Sequence, residues 1–427
     1  MLTIFLSLLM TLTHWLGHPP APKTVYALTN ARLVTVSQGV IENGTLIIKD
    51  GKIAALGKAI TVPQGAEVID CSGKSIYPGF IEGGSRVGLT EVGSLPETND
   101  YDELGNITPQ MQALTAINPN SELIPVTRVN GITTSLALPA GGLFPGTAAL
   151  INLHGYTPQQ MFAGFKGAVL NFPSTARGGD WDRRSDEEIE RTYQKALEEL
   201  NNFWQQVLEY QRISAAYKSG QRTPEYAPEL QALVPVIQKE MPLLIEVNAA
   251  KDIVAALTWV KAKGVKVILM GVAEGWRVAD QIAAANIPVI TGPVLTTPTR
   301  ESDRYDRAYA NAGLMLKAGV KVALRTMANE NSRNLPYHAG FAAAYGMGRD
   351  QALRAVTLTA AEIFGVSNRL GSLDVGKDAT FFVTDGDPFE TKTQVHYLFI
   401  GGYKVPLTSR QTDLYQEFLR RSPGLEK

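Results

Sequence analysis

Five histidines stand in this 427-residue chain, and where they fall decides which metal or acid–base chemistry is open to it. His14 and His18 lie in or beside an apolar leader, MLTIFLSLLMTLTHWLG, which leaves His154, His338 and His396. None of the three belongs to a His-x-His pair, an HExxH helix or a close Asp/His cluster, the spacings that bring imidazoles and carboxylates onto one divalent ion. Carboxylates are more frequent near expected strand ends: Glu82, Glu91, Asp100, Asp102, Glu246 and Glu274. With His154 and His338 they leave two catalytic readings, a site of oxygen ligands or a metal-free acid–base pair. His154 follows the apolar run AALINL and is expected at the mouth, where an ordinary hydrogen-bonded histidine is the plainer role. The single cysteine, Cys71, excludes an internal disulfide framework and a thiolate zinc cluster, and reads as a small hydrophobe at a strand end.

Apolar runs of four to eight residues alternate with amphipathic helices through the middle of the chain. They are PGFIEGG, ITTSLALP, AALINLHG, GAVLNFP, PLLIEVNA, VKVILMGVA, IPVITGP and VKVALRT, with helices such as DIVAALTWVKAKG and RVADQIAAAN between. This rhythm predicts a parallel α/β sheet or barrel over 78–365. An open doubly wound sheet fits the count as well, but no GxGxxG turn follows an early strand, so the closed barrel is preferred. Residues 25–77 read as short strands with turns at Asn43-Gly44 and Asp50-Gly51, and 366–427 repeat the style with a turn at Gly401-Gly402. Two edge-rich β segments most simply pair into one small composite β-sandwich. An insertion at 185–218 carries Ile189, Tyr193, Leu197, Leu200, Trp204 and Val207 at helical spacing behind a Ser and acidic first turn. It is expected as an arm on the barrel flank, with a subunit contact as the alternative.

Composition narrows the partners. With 44% hydrophobic and 19% charged residues, the chain buries a full-size core. Its 40 basic and 41 acidic residues nearly cancel, so nothing draws nucleic acid or an anionic membrane. The leader, residues 1–18, is too short to span a bilayer and suits a signal peptide, which predicts export to the periplasm or outside with no membrane span in the mature chain.

The two-ended β domain, the PGFIE strand and the tail AVTLTAAEIFGVSNRLGSLDVGKDATFFVTDGDPFE resemble the amidohydrolase superfamily, in its imidazolonepropionase-like branch. The tail matches from Thr357 to Pro388, with Thr380 where that family has Asp. The resemblance implies a distorted TIM (β/α)8 barrel plus a small β-sandwich built from both chain ends. It also implies hydrolysis of non-peptide C–N bonds by metal-activated water, if the chain is active.

The ligand positions that the resemblance implies are occupied differently here. Gly84 and Arg86 stand where the first strand of active members has His-x-His, and Glu246, with Asn248 two residues on, stands at the fifth-strand His. Gly271 replaces the sixth-strand His, and Met327, near Arg325, replaces the eighth-strand Asp. Lys166 lies at the wrong end of its strand to serve as a bridging carboxylated lysine. The reading is therefore a pseudoenzyme with no metal and no cofactor, zinc entering only if the chain is instead a working hydrolase with a remodelled or metal-free site. Arg86, Arg325, Glu246 and Asn248 are expected either to pair into a salt-bridged plug, which is preferred, or to hold a small anionic ligand. A homo- or hetero-oligomer with an active amidohydrolase, joined through the helical arm, is the expected partnership.

Overall fold

The computed structural model describes residues 22–178, 182–217 and 225–421. The expected signal peptide, the last residue of the predicted arm and the final residues of the tail lie outside them.

Five strands open the described chain: β1 (Tyr26–Val34), β2 (Val40–Lys49), β3 (Lys52–Gly57), β4 (Glu67–Asp70) and β5 (Ser75–Pro78). Asp50 and Gly51 both have positive φ and make the two-residue turn between β2 and β3, as their types predict. Asn43-Gly44 does not turn the chain. It lies inside β2 at a register shift against β1, and Gly44 is needed because a Cβ there would come within 2.6 Å of Leu33. The last three strands, β14 (Phe381–Thr384), β15 (Val395–Ile400) and β16 (Tyr403–Val405), join the same sheet by pairing β14 with β5. The order is β16-β15-β14-β5-β1-β2-β3, with β4 also on β1. This sheet, built from both chain ends, encloses its own core of Leu28, Leu33, Leu46, Ile76, Phe381 and Phe399. Cys71 is buried there, and burial pushes its thiol up to about 11, which makes it an inert filler.

The second sheet is the barrel. Its strands are β6 (Phe80–Ser85), β7 (Ile132–Ala137), β8 (Gly146–Asn152), β9 (Phe162–Asn171), β10 (Leu243–Val247), β11 (Val267–Gly271), β12 (Val289–Thr291) and β13 (Val322–Leu324), hydrogen-bonded in that order. The seam between β13 and β6 is closed by Met327 N–H to the Gly84 carbonyl (3.1 Å) and Thr326 N–H to the Glu82 carboxylate (2.8 Å). Inward side chains such as Ile81, Leu136, Leu150, Leu244, Ile268, Ile290 and Ala323 fill the interior. One strand departs from the expected parallel order: β8 runs antiparallel to both β7 and β9.

The helix Asp186–Ala216 starts at Ser185 with a capping box to Glu188 and lays Ile189, Tyr193, Leu200, Phe203, Trp204 and Val207 against the barrel flank. Trp204 meets Trp259 edge to face at 5.0 Å, so this helix shares the main core. No helix among the described residues is long and apolar enough to cross a membrane.

Candidate active site

At the carboxyl ends of the parallel strands, Arg325 and Glu246 meet across the barrel. Arg325 follows β13 and Glu246 sits on β10, each on its strand's inward face. The guanidinium grips the carboxylate through both nitrogens, Nη1–Oε2 at 2.8 Å and Nη2–Oε1 at 2.7 Å. Arg325 is 2% exposed and the Glu246 side chain 25%. Burial pushes the Glu246 carboxyl up, but the charge and hydrogen bonds of Arg325, with a further bond from Asn248 Nδ2 (3.3 Å), hold it below its ordinary value. The Asn248 carbonyl oxygen accepts the Ala273 N–H at 3.3 Å, which ties the ends of β10 and β11 together.

The glycines around this pair make room for it. A Cβ at Gly271, where φ is +80°, would collide with Asn248 and come within 2.5 Å of Glu246 Oε1. One at Gly84 would meet Leu138 at 2.5 Å and the Arg325 Cδ at 3.3 Å. Met327, also with positive φ, is packed on the apolar barrel filling.

Three of the four residues expected in the plug thus come together, and Arg86 does not. It lies past the end of β6, stacks its guanidinium 3.9 Å over the ring of Tyr101, makes no ion pair among the described residues, and leaves its buried Nε without a partner. His154 is a second correction. Because β8 is antiparallel, its carboxyl end points to the opposite end of the barrel, and His154 stacks against Tyr403 of the small sheet at 5.2 Å. Burial, with Arg128 nearby, lowers its pKa, so the ring is neutral there. His338 is buried on the helix Leu335–Ala342 and accepts the Val294 N–H at Nδ1 (3.1 Å); burial takes it down to about 4. His396 pairs with Asp385 on the small sheet.

The remaining carboxylates disperse. Glu82 is wholly buried at the β6–β13 seam. Glu274 is pushed up by burial but held below its ordinary value by Arg300, the Ala250 N–H and Thr299. Glu91 accepts from Asn118, and Asp102 joins the first loop to Ala140 through a backbone bridge. Lys166 bonds Gln112, on the portion of β9 away from the mouth. Among the described residues, no group of three or more His, Cys, Asp or Glu side chains is placed to hold a metal ion.

Beside Asn248 lies a pocket of about 160 Å³ that strand spacing did not foretell, lined by Trp276, Thr291, Thr297, Asp303 and Arg307 among others. Its polar groups come from three separate loops and a helix start, so no periodic signal in the sequence joins them.

A composite sheet beside a nearly closed eight-stranded barrel, with polar residues gathered at the strand ends, defines the class of TIM-like barrel folds, which carry their sites at that end. The chain belongs to the amidohydrolase family, whose model matches residues 130–405. It is 26% identical over 416 residues to an imidazolonepropionase of Sphingopyxis alaskensis, covering 85% of this chain and 92% of that protein. It is 23% identical over 393 residues to the amidohydrolase tasK of Hapsidospora irregularis, covering 82% of this chain but only 38% of that longer protein. In structure it is similar to an amidohydrolase from Thermotoga maritima, with a TM-score of 0.77 at 23% identity over 90% of this chain and all of that one.

Proposed function

We propose that this amidohydrolase-family chain does not hydrolyse C–N bonds at a metal centre, and that it acts instead as a ligand-binding or partner subunit. The observation that carries the reading is the bidentate Arg325–Glu246 pair at the barrel mouth. Both oxygens of the carboxylate at the fifth-strand position are engaged by a permanent cation, which repels a divalent ion as well as consuming its donor. Gly84, Gly271 and Met327, at three more of the positions that the family resemblance assigns to ligands, carry no oxygen or imidazole donor. The donor set therefore does not fit zinc, and no step is routed through one.

The test is elemental analysis of the purified full-length protein, together with assays of amide and cyclic-amide hydrolysis before and after added zinc. The expected result is zinc far below one ion per chain and no zinc-dependent turnover. Near-stoichiometric zinc, or activity abolished by a chelator, replaces this reading with that of a working hydrolase with a remodelled site. Turnover that survives chelation points to a metal-free acid–base site instead. The same proposal includes export directed by the leader and association with an active relative, so secretion of a tagged full chain and co-purification of another amidohydrolase are its further expected outcomes.

A further inference from the structure

We infer that the helix Arg410–Arg420, the last of the described chain, docks on an anionic lipid surface and lies in its headgroup layer. The inference does not depend on whether the barrel hydrolyses anything.

The sequence builds this helix with care and the fold leaves it bare. Ser409 opens it with a reciprocal cap, its hydroxyl accepting the Thr412 N–H while the Thr412 hydroxyl accepts the Ser409 N–H at 2.8 Å. None of its 11 residues is buried. Leu414, Tyr415 and Phe418 are 40%, 58% and 51% exposed, and at 3.6 residues per turn the three share one face. A helix this short is marginal in water by itself and draws its stability from whatever its apolar face is laid against.

The charges around that face say what it is laid against. By helical spacing Arg410, Glu417 and Arg421 border the apolar stripe on one side, while Leu419 and Thr412 border it on the other without charge. Asp413 and Arg420 turn to the opposite face. Glu417 is taken by Arg421, whose guanidinium also lies 4.0 Å over the Phe418 ring, so the cation stands directly beside the stripe. The border is therefore net positive, although the chain as a whole is nearly balanced. Leucine and aromatic rings bordered by arginine, on a helix polar elsewhere, match the boundary between acyl chains and anionic headgroups.

The same charges argue against a second copy of the helix as the cover. An antiparallel pair that sets Leu414 against the other copy's Phe418 brings Arg410 against the other copy's Arg421 on the shared border, a like-charge contact repeated by the two-fold axis. Insertion across the bilayer is excluded by length, since a helix of this size is about 16 Å long and the hydrocarbon core is about 30 Å thick.

Gln411 lies within the stripe and is exposed, whereas Cys71 is buried, so Gln411→Cys carrying an environment-sensitive dye places a single reporter on this face. The labelled full-length protein is titrated with vesicles of phosphatidylglycerol mixed equally with phosphatidylcholine, and with vesicles of phosphatidylcholine alone. The dye reads this helix, so adsorption through the apolar leader does not imitate the result. The expected outcome is a blue-shifted emission whose half-saturating lipid concentration is at least about fivefold lower on the mixed vesicles. Adding Arg410→Gln and Arg421→Gln should remove most of that preference, and adding Leu414→Asp and Phe418→Asp should abolish the shift. Neither pair should move the melting temperature, because none of the helix is buried. Silence of the dye on mixed vesicles overturns the inference, as does equal response to the two lipids or a shift that survives Leu414→Asp and Phe418→Asp. A dye shift that rises with protein concentration without lipid, together with a dimer in sedimentation, also overturns it and gives the face to a second copy. Zinc-dependent hydrolysis would overturn the function proposed above and leave these titrations unchanged.

Discussion

Arg325→Met lowers the stability of the fold by about 3–5 kcal/mol at neutral pH, the range for removing one partner of a buried ion pair. Methionine replaces much of the aliphatic stem, so the loss comes chiefly from Glu246, which keeps its charge while losing both hydrogen bonds from the guanidinium. Among the described residues, Asn248, at 3.3 Å, is the one side chain left to donate to it. The pH dependence separates this cause from a packing defect. In the native chain the Glu246 pKa is depressed below its ordinary 4.5, so its contribution is present above that value and is lost as pH falls through the lower folded pKa. Without Arg325, burial is opposed only by the long Asn248 hydrogen bond and raises the pKa, so the variant is penalised increasingly as pH rises above 4.5. Urea denaturation from acid to mildly alkaline pH should show the gap between native and variant widening with pH. The double variant Arg325→Met/Glu246→Leu should recover most of the loss, because an apolar pair of similar volume replaces a buried ion pair at little cost. A single-variant loss under about 1 kcal/mol, typical of a solvated pair, would mean that the mouth is wet and that the pair is no plug.

The parts of the mouth that were legible in the sequence, and those that were not, differ for a physical reason. Alternate residues of a strand share a face, so once PLLIEVNA and VKVALRT are recognised as barrel strands, Glu246 and Arg325 must point inward at the same end. All eight barrel strands were visible as apolar runs for the same reason. Direction was not, because a run buried on both sides looks alike read either way. A signal for β8 was nonetheless present in the loop lengths. Only the residues 138–145 separate β7 from β8, and 153–161 separate β8 from β9, whereas a parallel crossover needs a dozen or more. Two short connections in a row imply an antiparallel strand, and His154 then goes to the far end with it. Arg86 was misplaced because β6 ends at Ser85, and beyond a strand end the period-two argument gives no direction. Asp303, Arg307 and Trp276 were invisible as a group because only tertiary folding brings their loops together.

Glu82→Gln should stabilise the fold relative to the native chain by about 3 kcal/mol at pH 8, and by far less at pH 5. Glu82 is 0% exposed, and burial raises its carboxyl from the ordinary 4.5 to about 7, against the pull of the Thr326 and Gly84 N–H groups and Arg325. A raised acid pKa means that the folded chain holds a proton that the unfolded chain has released, so stability declines as pH rises through the window from 4.5 to about 7 and stays low above it. The separation of 2.5 between those two values, at about 1.4 kcal/mol each, gives the expected size. Glutamine keeps an oxygen for both N–H donors, at 2.8 and 3.1 Å, and carries no charge to bury. Its amide nitrogen meets the same partnerless surroundings as Oε2, which a protonated glutamate tolerates equally, so the two chains should nearly coincide at low pH. This window lies above that of Glu246 in the native chain, and the two effects have opposite sign, so one titration of stability from well below pH 4 up to pH 8 resolves both. A native-minus-variant difference that stays flat from pH 5 to 8 would show that Glu82 remains ionised in the closed barrel. The seam between β6 and β13 would then need a further donor to Oε2, which an intact dry seam does not provide.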